Sequence, residues 1–415
     1  MSTNAELDGL RRLMTPEGAT LLAELPAVHT TADVLALTTR LRSAGYDAPL
    51  VAAALTLQRL RAKAETKFGP LAANLWTTTD GLEQATALPL AARHAERFRA
   101  AGCSRVADLG CGIGTESIAL AGLGLQVLAV DADEAHAALA LMNLTALPGA
   151  EVRHTRIEDL DLAAEGVDGA FADPARRGPQ GRRFDPEAWS PPLSSILSLR
   201  QSVPRLGVKV APGIDYAALP PEAHVQWASI DGSVREAAIW LGDLAPEGPG
   251  RSALILDSGG TARCYPAPAA TADAAATTVE CVPLGTYVHT LDGAIIRAGA
   301  LATLAAELEA GLLSEGIAYL TGDRASDLPG VTSFRVLEVL PAGAKPLGAA
   351  LRERGVGSVE ILKRGLDTDV AAFRHKLKLR GDRNATIILT RVAGRHVALL
   401  VQREESVAPR DREAR

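Results

Sequence analysis

The stretch Val106-Ala107-Asp108-Leu109-Gly110-Cys111-Gly112-Ile113-Gly114-Thr115, followed by the helix-forming run Glu116 to Leu123, constrains the fold more than any other part of the chain. A short apolar run, three glycines at alternate positions and an apolar helix read as a buried strand, a sharp turn and a helix docked back onto a sheet. Glycine lets the backbone turn tightly and approach a ligand beside a helix N-terminus. The pattern predicts a nucleoside-cofactor loop, and a glycine loop is a weak signal until its surroundings agree.

The surroundings repeat the strand signal. Val127 to Val130, Ala170-Phe171-Ala172 and Val208-Lys209-Val210 are short apolar runs separated by helical patterns, the alternation of a parallel sheet with helices on both faces. Val225 to Ile230 and Val234 to Leu241 flank Asp231-Gly232, a hairpin dipeptide, so two antiparallel strands close the sheet. The expectation is a doubly wound, Rossmann-like α/β domain over 99–242, preceded by a Leu/Ala-rich helical region over 1–98. Residues 243–283, rich in Pro, Gly, Ala and Thr, read as a linker with one strand, Ala253 to Leu256. A smaller α+β unit follows over 284–405: a helix from about Gly293 to Gly311, strands near Ile317 and Phe334, a helix near Leu347 and a strand near Val359. A basic helix, Asp369 to Leu379, and a hairpin around Ala393-Gly394-Arg395 come next, and 406–415 reads as a flexible tail.

At 415 residues the chain needs two or three cores. No apolar run is long enough to cross a bilayer, and Met1 to Glu6 lacks the features of an export signal, so a cytoplasmic location is expected. Cys103, Cys111, Cys264 and Cys281 include no C-x-x-C pair, so free thiols and no metal are expected. The net charge of −6 hides an asymmetry: from Lys345 to Arg415 sixteen Lys/Arg stand against nine Asp/Glu, a formal +7, leaving −13 elsewhere.

Asp131 ends the second strand, seventeen residues after Gly114, where a carboxylate accepts hydrogen bonds from the ribose hydroxyls of an adenosine moiety. NAD and S-adenosylmethionine both satisfy that geometry. Asp108 separates them, because a carboxylate beside the loop suits a cationic methionine end and would repel a pyrophosphate. Glu158 and Asp159, after the third strand, are candidates for the adenine amino group, and spacing does not choose between them.

Asp173-Pro174-Ala175-Arg176 follows the fourth strand, at the sheet edge where open α/β folds place their sites. An Asp side chain and a proline-fixed carbonyl can accept the hydrogens of an amine and aim its lone pair. Carbon methylation of a pyrimidine would need a thiolate, and the fifth strand, Val208 to Gly213, carries none. Cys103 and Cys111 read as packing residues. Arg176, Arg177, Arg182 and Arg183, with Gly178 and Gly181, suggest a basic loop over the site that grips bases or phosphates. Trp189 reads equally as a stacking platform or a buried core residue.

With these residues in view, the order of glycine loop, Asp131 and Asp173-Pro174-Ala175-Arg176 resembles class I S-adenosylmethionine-dependent methyltransferases. More narrowly it resembles bacterial members with a C-terminal THUMP-like domain, related to the trimethylguanosine-synthase group. Thr79-Asp80-Gly81-Leu82-Glu83-Gln84-Ala85-Thr86, Glu360 to Gly365 and Lys376-Leu377-Lys378-Leu379 extend the likeness from about Lys67 onward. The resemblance implies a seven-stranded methyltransferase sheet, S-adenosylmethionine as cofactor, and Thr79 and Gln84 in a segment folded over it. It departs from the nitrogen-methylating pattern where the usual second proline and aromatic are Ala175 and Arg176. THUMP domains bind structured RNA, so the resemblance implies an RNA partner, tRNA or rRNA. The basic end, with Lys363, Arg364, Lys376 and Lys378, agrees with it.

The expected activity is methylation of a guanine or adenine nitrogen in RNA. Asp173 and the Pro174 carbonyl would orient the amine, with Arg176 holding base or phosphate. Asp108, Gly110, Gly112, Gly114, Thr115 and Asp131 would hold the cofactor. The alternatives are a protein or small-molecule methyltransferase and a non-catalytic, cofactor-binding RNA adaptor.

Overall fold

In the computed structural model the structure describes residues 4–26, 30–178, 181–182, 185–257, 259–268 and 279–404. They fall into two compact units, one drawn from Met1–Ala223 and Ala238–Gly248 and the other from His224–Ala237 and Pro249–Arg415.

The first unit opens with α1 (Asn4–Leu13), α2 (Pro16–Glu24), α3 (Thr31–Ser43) and α4 (Ala48–Phe68). Their starts are written locally: the Thr15 side chain accepts from Gly18 N with Pro16 at the first turn, and Thr30 and Asp33 form a capping box. Leu13, Leu21, Leu57 and Phe68 are buried in the core these helices share. Next come α5 (Thr79–Gln84) and α6 (Leu88–Ala100), and then the sheet: β1 (Arg105–Leu109), α7 (Thr115–Gly122), β2 (Gln126–Asp131), α8 (Glu134–Leu144), β3 (Ala150–His154) and β4 (Gly169–Ala172). The short pair β5 (Arg177–Gly178) and β6 (Gly181–Arg182), α9 (Leu193–Ser198) and β7 (Leu206–Val210) complete the alternation.

The strands run in the order β3-β2-β1-β4-β7, all parallel, with Val106 opposite Val127 on one side and Gly169 on the other. β1, β4 and β7 are buried almost throughout, which is why each reads as a continuous apolar run rather than an alternating one. This order brings the C-terminal ends of β1, β2 and β4 side by side. β8 (His224–Ile230) and β9 (Ser233–Trp240) join through Asp231–Gly232, and the Ala238–Trp240 part of β9 belongs to the first unit. There Trp240, Phe171, Phe98 and His94 form a ring cluster with centroids 4.9 to 6.4 Å apart, and His94 Nδ1 lies 3.2 Å from the buried Glu116 carboxylate.

In the second unit, the stretch read as a linker with one strand holds two: β10 (Gly250–Leu256), parallel to β8, and β11 (Ala262–Pro266), antiparallel to β10. Only Tyr265 of β11 is buried, so the strand leaves almost no apolar trace in the sequence. The remainder comprises β12 (Tyr287–Leu291), α10 (Gly293–Ala298), α11 (Leu301–Leu308), β13 (Gly311–Ser314), β14 (Ile317–Gly322), β15 (Val331–Pro341), α12 (Ala344–Glu353), β16 (Val356–Lys363), α13 (Val370–Leu377), β17 (Arg383–Val392) and β18 (Arg395–Arg403). The sheet order is β13-β14-β12-β15-β18-β17-β16, and Leu347, Leu351 and Leu377 of α12 and α13 pack with Ile387 and Leu389 of β17. The single helix expected over Gly293–Gly311 is two helices, broken where Gly299 takes φ +78 and caps α10. The α/β fold class expected from sequence is the one observed, but the sheet expected to have seven strands has nine, because β10 and β11 extend it beyond β8.

Candidate active site

The chain reverses direction at Gly110, whose φ is +84, and a Cβ there would stand 2.7 Å from the Asp173 carbonyl oxygen. Any side chain would collide with the β4 backbone, so the loop and the end of β4 can touch only through glycine. Gly110 and Cys111 both donate their N–H to Val130 O, at 2.8 and 3.0 Å. The Gly112 N–H donates to Asp131 Oδ2 at 2.9 Å, and Oδ1 accepts from Asp133 N at 2.9 Å. Three strand ends are thereby drawn to one spot. His136 Nδ1 lies 3.8 Å from Asp131 Oδ1, and that carboxylate raises the imidazole's pKa.

Asp108 is 1% exposed. Its Oδ2 accepts from Ser117 N at 3.0 Å and Ser117 Oγ at 2.6 Å, whereas its Oδ1 is buried with no hydrogen-bond partner. Burial pushes the Asp108 carboxyl up to about 7, and the Ser117 hydrogen bonds offset only part of that. The Thr115 hydroxyl, at the start of α7, is also buried and without a partner. Unanswered buried polar atoms cost about 1–3 kcal/mol each and persist where something else satisfies them. A cation with N–H donors fits this carboxylate; a pyrophosphate does not.

A second wall comes from the segment ahead of α5. Asn143, on α8, accepts from Trp76 N at 2.7 Å and donates to Trp76 O at 2.9 Å and Ile113 O at 2.8 Å. Leu82 and Ile113 share one buried cluster, so α5 packs against the glycine loop itself. The Lys67 ammonium donates to the carbonyls of Leu82, Glu83 and Ala85 at 2.7, 3.1 and 3.0 Å, holding the C-terminal end of α5.

At the end of β4, Asp173 N donates to Leu109 O at 2.9 Å, Pro174 has no N–H, and Ala175 N donates to Ser190 O at 3.0 Å. Every backbone donor of Asp173-Pro174-Ala175 is therefore absent or consumed, and the Ala175 carbonyl is used as well, accepting from Ser190 N at 3.1 Å, so the acceptors that remain are the Asp173 and Pro174 carbonyls and the Asp173 carboxylate. The Asp173 Oδ2 atom accepts from Lys209 Nζ at 2.8 Å, and the same ammonium donates to Thr86 Oγ1 at 3.0 Å. The Lys209 side chain is 7% exposed and that of Asp173 is 29% exposed.

Two Mycobacterium tuberculosis proteins, from strains CDC 1551 and H37Rv, are each 36% identical to this chain over 343 residues, spanning 80% of it and 90% of their own length. Both are described as uncharacterized S-adenosylmethionine-dependent methyltransferases. This chain belongs to that family. The methyltransferase matches a methyltransferase-domain model over residues 107–174, which takes in the glycine loop, Asp131 and Asp173. A THUMP domain-like model matches 331–403, and a domain of unknown function matches 6–64. The crystal structure of a putative methyltransferase from Porphyromonas gingivalis W83 shares the fold, with a TM-score of 0.69 over 91% of this chain and all of that one at 18% identity. The chain is an enzyme whose cofactor is S-adenosylmethionine.

The remaining expected site residues are more dispersed. Thr79 donates its N–H and hydroxyl to Glu6 Oε1, at 2.7 and 3.0 Å, and Gln84 is exposed near the end of α5. Glu158 and Asp159 are exposed on the turn after β3, with Glu158 3.3 Å from Arg156. Ala175 is exposed, and Arg176 keeps one buried guanidinium nitrogen, Nη1, with no hydrogen-bond partner. The backbones of Arg177 and Arg182 pair in β5–β6, and Arg183 lies outside the described residues. Trp189, read equally as a platform or a core residue, is 3% exposed and belongs to the core. Cys103 and Cys111 are buried, and burial raises both thiols, Cys103 to about 11, which removes them as thiolate nucleophiles. In the second unit, Lys363 Nζ donates to Thr368 O at 2.6 Å and Arg364 lies over the Tyr319 ring at 5.5 Å, whereas Arg374, Lys376 and Lys378 are exposed. Sequence reasoning missed Asn143, Lys67, Thr86 and Lys209 as site-building residues. Lys209 carried a usable signal, since a lysine inside an otherwise apolar buried strand needs a partner.

Proposed function

We propose that the methyltransferase transfers a methyl group from S-adenosylmethionine to a nitrogen of an RNA base, guanine or adenine, that carries at least one hydrogen, which that nitrogen gives up to solvent as a proton while S-adenosylhomocysteine is released. The observation that carries this reading is the end of β4, where no backbone N–H of Asp173-Pro174-Ala175 is left over and the Asp173 carboxylate faces the edge as an acceptor. An amine brought to Asp173 and the Pro174 carbonyl finds places for its hydrogens and no backbone N–H that competes for its lone pair, which leaves the lone pair for the incoming methyl. S-adenosylmethionine supplies an electrophilic methyl on a sulfonium.

The chain's own residues do the rest. Asp108, through the oxygen that has no protein partner, and Thr115 hold the cationic end of the cofactor, Gly110, Gly112 and Gly114 let the backbone approach it, and Asp131 takes the ribose hydroxyls. Glu158 or Asp159 serves the adenine amino group, and Thr79 and Gln84 belong to the segment that covers the cofactor. Arg176, with a buried guanidinium nitrogen unanswered, holds base or phosphate, and the neighbouring arginines in sequence, Arg177, Arg182 and Arg183, are candidates for the same task. RNA is favoured by the +7 charge of the C-terminal 71 residues and by the THUMP-like match over 331–403. Arg374, Lys376 and Lys378, exposed on and just after α13, are the leading phosphate contacts, with Lys363 and Arg364 beside them.

Tritiated S-adenosylmethionine and the full-length enzyme, incubated with separated RNA, protein and small-molecule fractions of cell extract, test this. Label entering RNA alone is expected. Label entering only protein or small molecules overturns the RNA assignment, and cofactor binding without transfer to any fraction makes the chain an adaptor.

A further inference from the structure

We infer that Lys209, anchored by Thr86, is a positioning residue that fixes the Asp173 carboxylate for the incoming amine. The inference rests on the proposed role of Asp173 and adds what holds that side chain in place. A carboxylate that is 29% exposed can turn toward solvent, and no described hydrogen bond from its own loop pins either oxygen. The pin comes from the neighbouring strand. Lys209 Nζ donates to Asp173 Oδ2 at 2.8 Å and to Thr86 Oγ1 at 3.0 Å, so the ammonium has two fixed points on different elements. Thr86 in turn follows the end of α5, which Lys67 holds through three carbonyls.

Two consequences are chemical. An ammonium on Oδ2 keeps Asp173 a hydrogen-bond acceptor and leaves Oδ1 for the substrate. It also places one positive charge beside the carboxylate, with the lysine side chain only 7% exposed, so that the charges of the pair balance. A buried pair of this kind does little for stability alone, since apolar side chains of similar volume often serve as well. Its place at the mouth of β4 points to orientation.

The test uses K209M, K209R, T86V, D173N and the double variant K209M/D173N, all in the full-length enzyme. K209M is expected to leave the affinity for S-adenosylhomocysteine unchanged by calorimetry while lowering methyl transfer into RNA by about 10²-fold through kcat. K209R is expected to recover part of the rate, T86V to lose less, and the double variant to be no slower than the slower single one, because both changes remove one function. Wild-type kcat in K209M, or additive losses in the double variant, overturns the inference. If K209M does not fold, K209R and T86V decide it by the same split between kcat and cofactor affinity. If the wild-type enzyme labels no RNA, the RNA reading fails on its own, and crystal structures decide the lysine: Asp173 in several rotamers in K209M supports positioning, and an unmoved carboxylate refutes it.

Discussion

Asp108 is the residue whose chemistry is most open to measurement. Burial holds its carboxyl near 7, so the free protein carries a proton there at pH 6 and sheds it by pH 8. A cation resting on its unpartnered oxygen favours the ionised form. Binding of S-adenosylhomocysteine should therefore tighten about tenfold between pH 6 and pH 8 and then level off. Calorimetry in D108N should give weaker binding with that dependence gone. For stability the sign runs the other way: the folded value lies above the ordinary 3.8, so the contribution is full below about 4 and is lost as pH rises toward 7. Urea unfolding of the ligand-free enzyme should show that loss, and D108N should not. Gly110 makes a second residue-scale prediction. With φ at +84 and the Asp173 carbonyl 2.7 Å from any added Cβ, Gly110→Ala should cost at least about 1–3 kcal/mol by urea unfolding and abolish cofactor binding by calorimetry.

At the scale of elements, the wall formed by Trp76 and α5 depends on one side chain. Asn143→Ala removes three hydrogen bonds and leaves the Trp76 N–H and two carbonyls unanswered, so it should cost at least about 1–3 kcal/mol in urea and weaken cofactor binding. An unchanged midpoint would show that the segment holds itself. The parallel strands and the glycine loop were legible because buried strands are continuous apolar runs and tight turns need glycine. β11 was not, since it buries only Tyr265, and neither was the break at Gly299, where apolar periodicity continues into α11. Within the candidate site, Asp108, Gly110, Asp131 and Asp173 were legible because each stands at or beside the C-terminal end of a strand. Asn143, Thr86 and Lys209 act across elements far apart in sequence, and local pattern does not record such pairings.

For the whole molecule, a nucleotide-cofactor fold lies in one unit, and the other holds an α+β sheet whose basic charge is concentrated in the C-terminal 71 residues. If exposed Arg374, Lys376 and Lys378 bind phosphates, the triple alanine variant of the full-length enzyme should bind RNA more weakly. The slope of log K against log salt should fall by roughly one for each phosphate no longer neutralised. An unchanged slope would remove α13 from the RNA surface. The claim on which the account turns is that the edge of β4 delivers a methyl to a hydrogen-bearing base nitrogen. Mass spectrometry of nucleosides from RNA treated with wild-type enzyme or D173N tests it directly. The account predicts a nitrogen-methylated guanosine or adenosine that forms with the wild type and in strongly reduced yield with D173N. A methyl on ribose oxygen or on a ring carbon, or equal yields from both enzymes, would contradict it.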